Sequence, residues 1–103
     1  MTKADLLAEA RPYGVRGITF GGCVRGKAKG FQGAMRRKAH AHCYMGDPWR
    51  GWICFLSETP EKRAIRNGKP THLFWHEVAH IFRRSYTEKE CNRWAWRKVR
   101  GLI

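Results

Sequence analysis

Leu73-Phe74-Trp75-His76-Glu77-Val78-Ala79-His80-Ile81 contains a complete H-E-x-x-H, from His76 to His80. On a helix, residues i and i+4 stand one turn apart on the same face. Two imidazoles so placed can grip one metal ion, of which Zn2+ is the usual one. Glu77 sits beside the first of them, where a carboxylate can take a proton from water on the metal. Phe74, Val78 and Ile81 form one apolar stripe and Trp75, Ala79 and Phe82 a neighbouring one, at helical spacing. The sequence therefore predicts a buried helix over roughly Thr71–Arg84, with Thr71 as N-cap. The alternative is a helix whose two histidines are merely solvated on a polar face.

Downstream, Ser85-Tyr86-Thr87 breaks this helix. Thr87-Glu88-Lys89-Glu90 reads as a capping box for a last helix, Glu88–Arg100, with Cys91, Trp94, Ala95, Val99 and Leu102 on its core face. A catalytic zinc site generally takes three protein ligands and leaves one position for water. No histidine follows His80, and Glu88 and Glu90 are the only carboxylates after it. A site built in chain order uses one of them, or reaches back to an earlier Cys, His or Asp. At 100° per residue, Glu88 lies roughly 50° and Glu90 roughly 110° from the centre of the last helix's apolar face. Either can serve: Glu88 also suits a helix N-terminus as a surface acid, and Glu90 also suits the capping box.

Upstream, Thr2–Ala10 is a short helix capped by Thr2, and Val15–Phe20 a first strand. Cys23–Met35 is dense in glycine, lysine and arginine, does not match a phosphate-binding G-x-x-x-x-G-K-[ST] loop, and reads as a basic hairpin or loop. Arg37–Tyr44 is a strand with Ala39, Ala41 and Cys43 on one face. Lys38, His40, His42 and Tyr44 lie on the other; the two histidines could bind metal from a strand, but read as outward polar residues beside a cleft. Gly46-Asp47-Pro48 turns the chain into a strand within Trp49–Ser57, and the two strands make an antiparallel hairpin. Glu58–Lys69 is a charged connector with room for a short helix at Pro60–Arg66. The fold expected is one α+β domain over residues 1–103: a short antiparallel or mixed sheet of about three strands packed on the H-E-x-x-H helix and a C-terminal helix.

The 103 residues are 43% hydrophobic, with five Trp, five Phe and three Tyr, enough for one modest core. The longest apolar run, Trp52–Leu56, is too short to cross a membrane, and the N-terminus does not read as a signal peptide. An intracellular, cytoplasmic protein is expected, with Cys23, Cys43, Cys54 and Cys91 as buried thiols. Lys and Arg number 21 against eight acids, a net charge of +13. Such an excess favours polyanions, most obviously DNA or RNA, with Arg25, Lys27, Lys29, Arg36, Arg37 and Lys38 as the candidate contacts.

His76-Glu77-x-x-His80 followed by Glu90-Cys91-Asn92-Arg93-Trp94-Ala95 resembles the ImmA/IrrE metallopeptidases, in which H-E-x-x-H precedes E-A-N/D-x-F-A on the next helix. Cys91 replaces the alanine and Trp94 the phenylalanine. The resemblance covers about the last third of the chain. It implies a small zincin-like domain whose metal ligands are His76, His80 and Glu90, with Glu77 as general base. It also implies a protein substrate such as a DNA-associated repressor, and a bacterial, phage or mobile-element origin. By the same resemblance, Trp52–Ser57 would hold substrate by strand addition. A second resemblance, to SprT-like proteases, rests on strand-then-helix layout and basic character. Peptide deformylase shares H-E-x-x-H and a Cys ligand, to which Gly22-Cys23 is faintly similar. Tyr86 and His72 are weaker candidates for oxyanion donors. The rival expectation is a basic nucleic-acid-binding module with a structural or vestigial metal, Trp49 or Trp52 stacking on bases.

Overall fold

The computed structural model describes residues 1–26 and 40–103. The chain opens with α1 (Lys3–Ala10), started by a reciprocal cap. Thr2 Oγ1 accepts from the Asp5 amide, and the Asp5 carboxylate accepts from the Thr2 amide. Leu6 and Ala10 are fully buried. A single 3-10 turn, Arg11–Tyr13, ends at Gly14, whose φ of +93° suits glycine.

Three strands follow: β1 (Gly17–Phe20), β2 (Ala41–Cys43) and β3 (Trp52–Phe55). Their order is β1-β3-β2, with β1 parallel and β2 antiparallel to β3, so the sheet is mixed. The β2–β3 hairpin is the one expected. Residues 27–38, which hold most of the expected basic loop and the start of the Arg37–Tyr44 strand, lie outside the described residues, as does Ala39. Cross-strand register places Ala41 opposite Phe55, His42 opposite Cys54 and Cys43 opposite Ile53. Alternation then splits the sheet into two faces. Ile18, Phe20, Ala41, Cys43, Ile53 and Phe55 turn towards the helical core. Thr19, His42, Tyr44, Trp52 and Cys54 turn away from it. Cys43 and Cys54 are therefore on opposite faces.

The connector departs from its sequence reading. A four-residue helix, α2 (Pro60–Arg63), gives way to a tight hairpin of β4 (Ile65–Arg66) and β5 (Lys69–Pro70), where a helix to Arg66 was expected. Asn67 and Gly68 take φ of 53° and 73°, the consecutive positive values of a two-residue hairpin turn, which Asn-Gly adopts readily.

Two helices close the fold: α3 (His72–Phe82) and α4 (Glu88–Val99). Thr71 caps α3, its Oγ1 accepting from the Phe74 amide. Phe74 and Val78 are fully buried with Ile18, Ile53, Phe55 and Leu6. Tyr13 stands edge-on to Trp75, Phe82 and Trp94, and Lys98 Nζ donates to its hydroxyl at 2.8 Å. That aromatic knot locks α3 against α4 and the chain start. The core face of α4 is narrower than expected: Cys91, Trp94 and Ala95 are buried, but Val99 and Leu102 are exposed. The helix ends at Val99 and Gly101 turns at φ +73°, carrying the last residues off the core. Among the described residues, no helix is long and apolar enough to cross a membrane.

Candidate metal centre

His76 and His80 stand one turn apart on α3, and α4 brings its first residue, Glu88, to both rings. His76 Nε2 lies 2.8 Å from Glu88 Oε2, and His80 Nε2 lies 3.0 Å from Glu88 Oε1. The two Nε2 atoms are 3.2 Å apart. Each Nε2 facing the carboxylate needs a proton to donate, and two such N–H groups would then oppose each other. One divalent cation in place of both protons removes the conflict, and these three residues can hold a metal ion. Two imidazoles and a carboxylate are a catalytic-type donor set. Bonds of about 2.0–2.2 Å place such ligands roughly 3.3 Å apart, a small expansion of the observed cluster. The side chains of His76 and His80 are 12% and 14% exposed and that of Glu88 is 75% exposed, so the group opens to solvent on the acid's side.

Glu90, the acid implied by the ImmA/IrrE resemblance, is elsewhere. Its Oε1 accepts from the Thr87 amide at 3.1 Å, and its own amide donates to Thr87 Oγ1 at 3.2 Å. The capping box is thus formed, with Glu90 as its N3 residue. Glu88, Cys91 and Ala95 share the stripe that faces α3, at i, i+3 and i+7. Glu90, 200° around the helix from Glu88, turns back to the cap. The acid at the histidines is the alternative, Glu88.

Glu77 is 6% exposed. Burial, reinforced by the Glu88 charge, pushes its carboxyl up to about 7. The helix that carries it packs on β2, and the Glu77 charge adds to burial in pushing the Cys43 thiol well up. Cys91 Sγ lies 3.4 Å from His80 Nδ1 and steadies that ring. Burial holds the pKa of His80 down, against the Glu88 charge. His76 Nδ1 is buried with no hydrogen-bond partner among the described residues, which leaves Nε2 as the engaged atom of that ring.

His72 pairs with α4: its Nε2 is 3.3 Å from the Asn92 carbonyl and its ring 4.3 Å from that of Trp96. Burial holds its pKa down. Tyr86 is half-buried against the apolar core. Arg25 is exposed, its guanidinium 5.9 Å from the Tyr44 ring centre, while Lys27, Lys29, Arg36, Arg37 and Lys38 lie outside the described residues. Trp49 and Trp52 pack edge-on to each other. Beside His72 runs a groove of about 960 Å³, lined by Leu73, Trp96, Val99, Arg63, Arg66 and Lys69 among others.

Strand addition to Trp52–Ser57 does not fit this sheet. β3 is the central strand, hydrogen-bonded on both sides. Among the described residues, its partner β2 is an outer strand. The backbones of His40 and Tyr44 bond to β3 through Leu56 and Trp52, so by alternation those of Ala41 and Cys43 face outward.

A second group lies on the opposite face of the sheet. Cys23, His42 and Cys54 also converge closely enough to hold a metal ion, so His42 is not simply an outward polar residue. No spacing motif marks these three, because each comes from a different part of the sheet. Compared with known proteins, the chain matches no family model, no curated protein and no solved structure.

Proposed function

We propose that the chain is a zinc-dependent endopeptidase acting on a protein substrate, with His76, His80 and Glu88 as metal ligands and Glu77 as general base. The observation that carries this reading is the convergence of His76 Nε2, His80 Nε2 and both Glu88 oxygens beside a buried Glu77. A bound Zn2+ supplies Lewis acidity for the scissile carbonyl and lowers the pKa of water towards about 7. Glu77 takes the proton of the attacking water and returns it to the leaving amine. Cys91 keeps the His80 ring in place. The outward backbone of Ala41 and Cys43 on β2 offers an extended peptide its main-chain partners beside Glu77. The net charge of +13 supports an encounter with proteins already bound to nucleic acid.

The H-E-x-x-H helix and an acid from the next helix are the features in common with the ImmA/IrrE pattern. The acid's place two residues earlier sets this chain apart from it. The test uses a peptide library read by mass spectrometry. The zinc-loaded chain is expected to generate new termini, to stop with a chelator and to resume with zinc. Glu77→Gln should keep its zinc and lose cutting by about 100-fold or more. Undiminished cutting by Glu77→Gln would remove Glu77 as base, and no cutting by the zinc-loaded wild type on library or folded proteins would remove the peptidase reading.

A further inference from the structure

The face of the sheet turned away from α3 carries a group that the proposed peptidase does not use. Cys54 lies on the central strand β3 and is fully buried, and His42 is its direct cross-strand partner on β2. Cys23 lies in the turn after β1 and is 9% exposed. Its Sγ is 3.3 Å from His42 Nε2 and 2.9 Å from the Tyr44 hydroxyl. One ligand atom from each of Cys23, His42 and Cys54 lies within 4.8 Å of the other two.

The surroundings suit thiolates. The Arg25 amide points at Cys23 Sγ at 3.4 Å, in a turn closed by the Gly26 amide donating to the Cys23 carbonyl. The Tyr44 hydroxyl, 2.9 Å away, can donate to the same sulfur. Donors collected around a sulfur are the outer shell that a metal-bound thiolate requires. The front-face thiol Cys43 has carboxylates for neighbours instead.

We propose that Cys23, His42 and Cys54 form a second metal site, binding Zn2+ through two thiolates and one imidazole. Zinc–sulfur bonds of about 2.3 Å and zinc–nitrogen bonds of about 2.0 Å put tetrahedral ligands roughly 3.5 Å apart, close to the Cys23–His42 separation. Two soft sulfurs and an imidazole select zinc over magnesium or calcium. Residues 27–39 contain no Cys, His, Asp or Glu, so solvent takes the fourth position. Binding releases both thiol protons to solvent and ties the Gly21–Gly26 turn to the β2–β3 hairpin. The sheet stands between this site and the histidine–glutamate cluster, so the two ions load independently.

The experiment is metal counting on the full chain, purified under reductant and loaded with zinc, with cobalt as a spectroscopic substitute. Wild type should hold two zinc ions per chain. Cys23→Ser/His42→Asn should hold one and lose the thiolate-to-cobalt charge-transfer band. His76→Ala/His80→Ala should hold one and keep that band. Circular dichroism checks that each variant is folded. If Cys23→Ser/His42→Asn does not fold, Cys23→Ser alone, in the turn, should weaken the cobalt band at least tenfold in metal titration. A wild type with one zinc that survives His76→Ala/His80→Ala supports this site and removes the peptidase centre instead. An undiminished zinc count in folded Cys23→Ser/His42→Asn overturns the proposal. So does a cobalt-loaded chain with no thiolate band, or a Cys23–Cys54 disulfide in the anaerobically purified chain.

Discussion

Cys43 and Cys54 sit on neighbouring strands, one residue out of register, and face opposite ways. Cys43 turns towards α3, where burial and the Glu77 and Glu88 charges all oppose an ionised sulfur. Cys54 turns to the other side, where Cys23 and His42 meet it. The thiols are the same chemical group, and the sheet's two faces give them different surroundings. The front face gathers imidazoles and carboxylates carried by helices, and the back face gathers sulfurs from a strand and a turn with one imidazole.

The largest expected effect separates the two acids of α4. Glu88→Ala removes one of three donors at the front cluster, so the chain should lose that zinc and its hydrolytic activity together. Glu90→Ala leaves all three donors in place and removes only half of the capping box, costing about 0.3–1 kcal/mol of stability. Zinc content and thermal melting of the two variants measure this directly. Zinc lost from Glu90→Ala and kept by Glu88→Ala would exchange their roles and restore the ligand implied by the ImmA/IrrE resemblance.

That exchange bears on what the sequence made legible. The α3 helix, its Thr71 cap and the pairing of His76 with His80 follow from local spacing, because i and i+4 fix a shared helical face wherever the helix packs. The β2–β3 hairpin follows likewise from alternation and a turn. The third acid was partly legible: Glu88 lies closer to the apolar face of α4, and Thr87 with Glu90 spells a capping box. The resemblance pointed the other way, and the local hydrogen bonds prevailed. Asn67-Gly68 was a hairpin signal that the charge of its surroundings hid. The Cys23–His42–Cys54 group had no spacing motif; of its members, His42 stood out as a strand residue able to bind metal. Its members are 19 and 12 residues apart, and only the β1-β3-β2 strand order brings them together. The central position of β3 between β1 and β2, which leaves it no free edge for a substrate strand, is a fact of topology in the same way.

A middle-sized effect probes the front face as packing. Phe55 is fully buried and stacks between Phe20 and Phe74, 5.1 and 6.4 Å away. Phe55→Ala removes a core ring and leaves a cavity, for a loss of about 3–5 kcal/mol in denaturant unfolding. Both metal groups should fail with it, because β3 carries Cys54 and supports α3. A melt unchanged by this substitution would mean the sheet does not depend on its front face.

The smallest effect tests whether the back face is as closely fitted. Gly17 and Trp52 are partners across β1 and β3, and a Cβ on Gly17 would meet the Trp52 ring at 2.5 Å. The indole therefore lies over the glycine and covers the strand end. Gly17→Ala must push that ring aside and disturb its edge-on packing with Trp49, at about 1–2 kcal/mol. Gly22, on the turn beside Cys23, has open space at its Cβ position among the described residues, so Gly22→Ala should stay within about 0.5 kcal/mol of wild type. Urea unfolding of the pair, both metal-free, reads the difference. Equal stabilities would mean that Trp52 swings away freely and the back face is loosely covered. A clear gap would mean that the face carrying the sulfur ligands is packed tightly enough to hold them in place before any ion arrives, as a preorganised site requires.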